Sequence, residues 1–250
     1  MSVLVKIWEK LFRTDGKHGY TCDCCGDELF DYPASRICDN CNKHIEYNDT
    51  LICEKCGRKT VSQGVCTSCK RILPTFTLGI SPLTYRGETA SLVNRLKNGD
   101  RRLAFFFAQR MTKSFLNRFP MAKEKDLLII PVPLTDEKRR ARGYNQAETL
   151  AFCFADALKG AGITATLDYD VLQKTRDNDQ QKHLSIAERF QNADGTYHLH
   201  KRKICKGKTV ILVDDILTTG ATGSACAKLL LNAHVDGVIL LTVASLVEQN

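Results

Sequence analysis

Two adjacent carboxylates followed by a hydroxyl-rich loop form the sharpest chemical signal in the chain: Asp214 and Asp215, then Thr218, Thr219, Gly220, Ala221 and Thr222. Carboxylates accept hydrogen bonds and donate none, so they suit ribose hydroxyls. The loop has the opposite character. Its backbone N–H groups and threonine hydroxyls donate, and Gly220 lets a ligand approach the main chain closely. A helix read from Ser224 onward turns its positive end toward the same point. Acids and loop together suit a sugar phosphate, with hydroxyls on the carboxylates and the 5′-phosphate in the loop. No Gly-Lys-Ser/Thr follows Gly220, so a nucleoside-triphosphate loop of Walker type is not the reading.

A second anion-friendly stretch lies upstream. The apolar run 127–130 ends in Pro131-Val132-Pro133, then come Lys138, Arg139, Arg140 and Arg142, then Gly143, and a helix is read over 147–158. The cationic stretch reads as a loop. Arg139, Arg142 and Gly143 are assigned to a pyrophosphate side, because two cradles at one sheet edge suit one sugar with two phosphate groups. No side chain stands out as a general base, so no catalytic residue is assigned.

Cysteines make the third cluster. Nine of 12 fall within 22–69 as four Cys-x-x-Cys knuckles in two repeats, Cys22/Cys25 with Cys38/Cys41 and Cys53/Cys56 with Cys66/Cys69. Four thiolates make the tetrahedral sulfur shell that a structural Zn²⁺ prefers, and they leave no open position for catalysis. Two structural zinc ions are expected, paired in sequence order, with crossed pairing open. Cys24 and His44 are left out of both shells. Disulfides would suit an exported chain, but Lys6, Glu9 and Lys10 interrupt the apolar start and argue against an export signal.

These groups need a scaffold. Strands read over 75–80, 127–130, about 167–172, 209–214 and 237–243 alternate with helices over 90–97, 103–119, 147–158 and from 224 onward. That alternation gives an α/β fold with a mostly parallel sheet and ligands at the carboxyl edge. The aromatics at 105, 106, 107, 115 and 119 fall at helical spacing and belong to the core. Residues 172–192, rich in charge and amides, read as a flap over the site. Three segments result: a short helix within 1–19 carrying Val3, Leu4, Ile7, Trp8 and Leu11, a double zinc ribbon over 20–72, and an α/β domain over 73–250. Residues 1–75 hold 11 basic against 10 acidic side chains, and residues 76–250 hold 25 against 18. The basic excess therefore lies with the phosphate sites, where it could also attract nucleic acid. Nothing approaches a membrane span, and the chain is expected in the cytoplasm.

The segment 210–222 resembles the phosphoribosyl-pyrophosphate (PRPP) signature of type I phosphoribosyltransferases. That resemblance implies that Asp214 and Asp215 hold the ribose, that residues 218–222 hold the 5′-phosphate, and that Mg²⁺ accompanies PRPP. The run at 131–148, Pro-Val-Pro-Leu-x4-Arg-x2-Arg-Gly-aromatic-Asn-Gln-Ala-Glu, is similar to that of the ComF competence family, which joins a double zinc ribbon to a phosphoribosyltransferase domain. Lys174, Thr175, Arg176, Gln181, Leu184, Arg189 and Asn192 continue the match. Among these, Arg176, Gln181 and Arg189 are the flap residues. Tyr144 stands where phenylalanine is usual and is expected on a half-buried loop. Asp177-Asn178-Asp179-Gln180 departs from the pattern where the pattern is loose. The resemblance implies a PRPP-binding protein of DNA uptake and natural transformation that handles imported single-stranded DNA alongside other uptake proteins. The alternative is an active phosphoribosyltransferase of nucleotide metabolism or salvage with no direct DNA role.

Overall fold

The computed structural model describes residues 21–30, 36–176 and 185–247. The short helix read within 1–19 and the flap residue Gln181 lie outside the described residues.

Two compact units divide the chain, Met1–Ile45 and Glu46–Asn250. Compactness therefore changes between the two cysteine repeats, whereas composition changes near residue 73. In the first unit, helix α1 (Asp39–Lys43) opens on Cys38, whose side chain accepts from the Cys41 N–H. A nearly buried ion pair, Arg36 Nε to Asp23 Oδ2 at 2.6 Å, ties the two knuckles of this unit together.

The second unit begins with the other four cysteines and helix α2 (Thr67–Arg71). Strands β1 (Leu78–Ile80) and β2 (Leu83–Thr84) follow, then helices α3 (Gly87–Lys97) and α4 (Leu103–Arg118). Next come β3 (Leu127–Pro131), α5 (Asp136–Arg142), α6 (Gln146–Gly160) and β4 (Ala165–Leu167). The excursion β5 (Leu172–Lys174), α7 (Ile186–Ala193) and β6 (Tyr197–Leu199) precedes α8 (Arg202–Cys205). Strand β7 (Thr209–Leu217), helix α9 (Ala221–Leu231) and strand β8 (Gly237–Ser245) complete the unit.

The main sheet runs β1-β8-β7-β3-β4 with every pairing parallel, and β2 extends the pairing along β8. Strands β3 and β8 are buried at every position, as befits a parallel sheet covered by helices on both faces. Phe106, Phe107 and Phe115 are buried as core. Phe115 meets Phe154 edge-to-face at 5.4 Å, joining α4 to α6, an arrangement that contributes about 0.5–1.5 kcal/mol beyond area.

Three expectations change. The strand read over 167–172 is two strands in different sheets, β4 in the main sheet and β5 paired antiparallel with β6. The break falls at Asp168 to Asp170, where the Asp168 side chain accepts from the Asp170 N–H and turns the chain. The cationic stretch is helix rather than loop. Thr135 caps it, Asp136 and Glu137 sit in its first turn, Arg139, Arg140 and Arg142 in its last, and Gly143 ends it at φ 78°. Those placements match the helix dipole at both ends. Tyr144 is buried rather than half-buried, 7% exposed, with the Arg101 guanidinium 4.3 Å from its ring centroid.

Candidate functional site

Because all main-sheet strands are parallel, β3 and β7 run toward the same edge of the sheet, β3 ending at Pro131 in register with Val213, four residues before the end of β7. The loops after both strands therefore open on the same edge. After β7 the chain turns at Gly220, φ 84°, which caps α9. A side chain there would be strained and would press Phe76, whose ring edge lies 3.4 Å from the added carbon. Helix α9 begins at Ala221, three residues before the expected start. The N–H groups of Ala221, Thr222 and Gly223 thus have no carbonyl one turn back; that of Ala221 donates to Thr219 Oγ1 at 3.4 Å, and Ser224 is the first to close a helical bond, to Gly220 O at 2.9 Å. Thr218 is exposed and Thr222 half-buried.

Strand β7 does not stop before the acids. It continues through both in register with β8, Asp214 opposite Thr242 and Ile216 opposite Ala244. Successive side chains on a strand point to opposite faces, so the two carboxylates meet different neighbours. Asp215, 7% exposed, accepts from Gln146 Nε2 at 2.8 Å and pairs with Lys97 Nζ at 3.3 Å. Arg142 Nη1 donates to Gln146 Oε1 at 2.8 Å, so Arg142, Gln146 and Asp215 form a chain across the two cradles. Asp214 accepts the Asp215 N–H at 2.8 Å. Burial first, and then the charge of Asp215, push Asp214 up to about 7, against the pull of Lys97 and Lys174.

That shift has a sign. The folded chain holds a proton that an ordinary aspartate with a pKa of 3.8 releases, so this group's contribution to stability declines as pH rises from 3.8 toward 7. Ligand binding runs the other way, because ribose hydroxyls need the ionised acceptor. Affinity for a ribose phosphate is expected to rise with pH up to about 7, by about tenfold per unit below it, and then to level. Titration calorimetry between pH 5.5 and 8 reads this. Asp214→Asn should retain only the ligand phosphate's own titration near about 6. A wild-type profile matching that of Asp214→Asn contradicts the assignment.

Of the other residues read from the sequence, Arg139 forms a forked pair with Glu148, at 2.7 and 3.0 Å. Gly143 ends α5 one residue after Arg142. Arg176 donates to Gly195 O at 3.4 Å, across the β5–β6 excursion, and Arg189 lies on α7. Lys97 and Gln146 are additions. Lys97 is the last residue of an amphipathic helix, Gln146 the first of another, and no local pattern links either to residue 215. A signal existed only for Gln146, inside the 131–148 run.

The cysteines gather in sequence order: Cys22, Cys25, Cys38 and Cys41 in one group, Cys53, Cys56, Cys66 and Cys69 in the other, with all four ligand atoms of each group within 4.8 Å of one another. Cys24 stands outside both groups. His44 uses Nδ1 at Asn40 O, 2.8 Å away. Sulfur separations of 3.8 Å, Cys25 to Cys38 and Cys56 to Cys66, match what a tetrahedron of Zn–S bonds of about 2.3 Å requires. Backbone N–H groups point at the sulfurs as they do at thiolates: Cys38 and Cys24 toward Cys22, Cys66 and Cys56 toward Cys53. Burial raises Cys22, but the donors from Cys38, Cys25 and Cys24 outweigh it and bring the thiol down to about 7. Both groups could hold zinc.

Comparison with known proteins agrees with this arrangement. The model of the phosphoribosyl transferase domain matches residues 147–249, which contain the acids, the loop and α9. Competence protein ComFC of Bacillus subtilis is 27% identical over 206 residues, covering 80% of this chain and 79% of that protein. This chain is ComF-like. DNA utilization protein YhgH of Salmonella typhimurium is 27% identical over 201 residues, 78% of this chain and 84% of its own. Competence protein F of Haemophilus influenzae is 25% identical over 212 residues, 81% and 87%. The ComF likeness thus spans far more than the transferase domain, and the two cysteine groups are consistent with the double zinc ribbon. Among the described residues, no helix is long and apolar enough to cross a membrane.

Proposed function

We propose that this protein binds PRPP together with Mg²⁺ and acts in DNA uptake and natural transformation, handling imported single-stranded DNA in the cytoplasm with other uptake proteins. The observation that carries the PRPP reading is the junction at the end of β7: a carboxylate pair, a threonine loop and the N-terminus of α9 within nine consecutive residues, 214–222. The 5′-phosphate would lie on the N–H groups and hydroxyls of 218–222, the ribose on Asp214 and Asp215, and the pyrophosphate toward Arg139, Arg142 and Gly143. Arg142 and Lys97 both reach the Asp215 side of the site, Arg142 through Gln146, and bring positive charge to where two phosphates would lie. Each carboxylate has about four lone-pair sites, so the contacts of Asp214 and Asp215 leave room for a hard cation. Mg²⁺ arriving with PRPP would supply positive charge against the pyrophosphate oxygens. Both cysteine groups would carry structural Zn²⁺.

The DNA part rests on the names of the ComFC and competence F relatives and on the basic excess of residues 76–250. Two titrations test the reading, one with PRPP and Mg²⁺ and one with single-stranded DNA. Asp214→Asn/Asp215→Asn is expected to weaken PRPP binding by at least about a hundredfold, the loss of two hydrogen bonds to charged groups, and to leave DNA binding intact. Wild-type protein that ignores millimolar PRPP refutes the first part. DNA affinity that stays flat as salt rises refutes the second, because phosphate contacts release counterions.

A catalytic reading draws on one feature, the upward shift that burial and the Asp215 charge impose on Asp214, a kind of shift that clusters at functional sites and also occurs in structural charge networks. A nucleophile would then displace pyrophosphate from C1 of the ribose, and Arg142 and Lys97 would stabilise the departing charge. Pyrophosphate release with a panel of nucleobases and amines decides it.

A further inference from the structure

The second cysteine group touches the phosphate loop through one arginine. Arg58 follows directly on the knuckle Cys53-Glu-Lys-Cys56-Gly57, and its backbone is fixed by that knuckle: the Cys53 N–H donates to Arg58 O at 2.8 Å and the Gly57 N–H to Cys53 O at 2.9 Å. Gly57, at φ 74°, lies so close to β1 that an added Cβ would fall 2.4 Å from Gly79 O. The Arg58 side chain then runs beneath the loop after β7, 5% exposed, and its Nη2 donates to the Thr218 carbonyl at 2.6 Å. Its Nε is buried without a hydrogen-bond partner among the described residues. Two further contacts reach the same loop and the start of α9 from the residues that follow the cysteine group. The Thr75 N–H donates to Ser224 Oγ at 3.1 Å, and the fully buried Phe76 ring lies under Gly220.

We propose that Arg58 is a positioning residue of the 5′-phosphate loop, set in place by the turn of the second cysteine group. A carbonyl directed at a phosphate would repel it. By accepting from Arg58, the Thr218 carbonyl is drawn to the inner side of the loop, and the N–H groups that follow are left to face an anion. The buried guanidinium also puts a full positive charge under the cradle, where the low dielectric makes it count. A planar fork on a short, packed path suits this task, and a lysine would supply charge without the geometry. Sequence gives no sign of the link, because the contact spans 160 residues.

The anion part of this inference rests on the PRPP reading above, and the loop part does not. The test uses the full chain as wild type, Arg58→Met and Arg58→Lys, with metal content measured for each. Amide hydrogen exchange is followed over 218–224 and, as an internal control, over 237–245. Arg58→Met is expected to exchange at least about tenfold faster over 218–224, the loss of one hydrogen bond from a charged donor, with 237–245 and metal content unchanged. Ribose 5-phosphate affinity should fall by a similar factor and recover in part in Arg58→Lys, whereas inorganic pyrophosphate should bind all three within about twofold. Unchanged exchange over 218–224 in a folded Arg58→Met overturns the proposal. If that variant does not fold, unchanged exchange over 218–224 in Arg58→Lys overturns it instead. Wild-type protein that ignores ribose 5-phosphate sinks the ligand reading, and the exchange rates still decide what Arg58 does.

Discussion

Replacing Cys53 with serine is expected to abolish the cooperative thermal transition of the sheet unit, whereas replacing Cys38 leaves that transition in place. The two cysteine groups look alike in sequence and differ in setting. Cys53, Cys56, Cys66 and Cys69 are all at most 4% exposed and belong to one apolar core with Phe76, Leu128, Leu212 and Val238. Cys25, by contrast, is exposed, and its group lies in the other compact unit. A structural zinc site supplies apparent folding free energy of about 10–16 kcal/mol in small modules, as large as the whole net stability of a domain, about 5–15 kcal/mol. With the proposed Zn²⁺ in place, opening the second group removes a contribution of that order from the unit that contains it and leaves sulfur atoms without their metal inside its core. Calorimetry together with metal analysis checks this. A Cys53→Ser protein melting like wild type, or a Cys38→Ser protein without the sheet transition, contradicts it.

The next largest effect is expected at Gly57, where alanine should cost about 2–6 kcal/mol. A side chain there adds positive-φ strain of about 1–3 kcal/mol to overpacking against backbone of about 1–3 kcal/mol. The clash cannot be relieved by rotating a side chain, because the atom in the way is the Gly79 carbonyl oxygen at 2.4 Å. Gly79 mirrors it, since its own added Cβ would fall 2.4 Å from Cys56 O. Arg118 holds the two segments at this spacing, donating to Gly79 O at 3.1 Å and Glu54 O at 3.0 Å. Gly64 serves as the control, because its φ of 96° carries strain but open space surrounds it. Urea unfolding should therefore rank Gly57→Ala well below Gly64→Ala. Equal losses would mean that the close approach does not matter.

What could be read from the chain was local. The knuckle spacing gave both cysteine groups, and the apolar runs gave the central strands. The acid pair with its threonine loop marked the candidate site. Signals for α5 were also present, a threonine cap, acids first, bases last and a terminal glycine, but the density of charge drew the reading toward a loop. Aspartates are poor strand residues, so local preference ends β7 near 214. Pairing with β8 carries the strand on to Leu217, a tertiary effect that overrides local preference. The contacts that define the site's inner side were out of reach. Lys97 with Asp215 and Arg58 with Thr218 join residues more than a hundred positions apart, and no periodicity connects them.

Among the described residues, strand β1 pairs with β8 and with no other strand of the sheet. On the ribosome, then, the segment that adjoins the cysteine knuckle emerges long before its mate. At about 5–20 residues per second, the interval from Ile80 to Gly237 is on the order of ten seconds. During that time the growing chain exposes Phe76 and the face that will later bury the knuckle, a sticky surface with nothing yet to close on. Early capture of metal by the nascent knuckle would keep this part compact, and a cell short of zinc should lose the protein to misfolding before it loses any finished molecule.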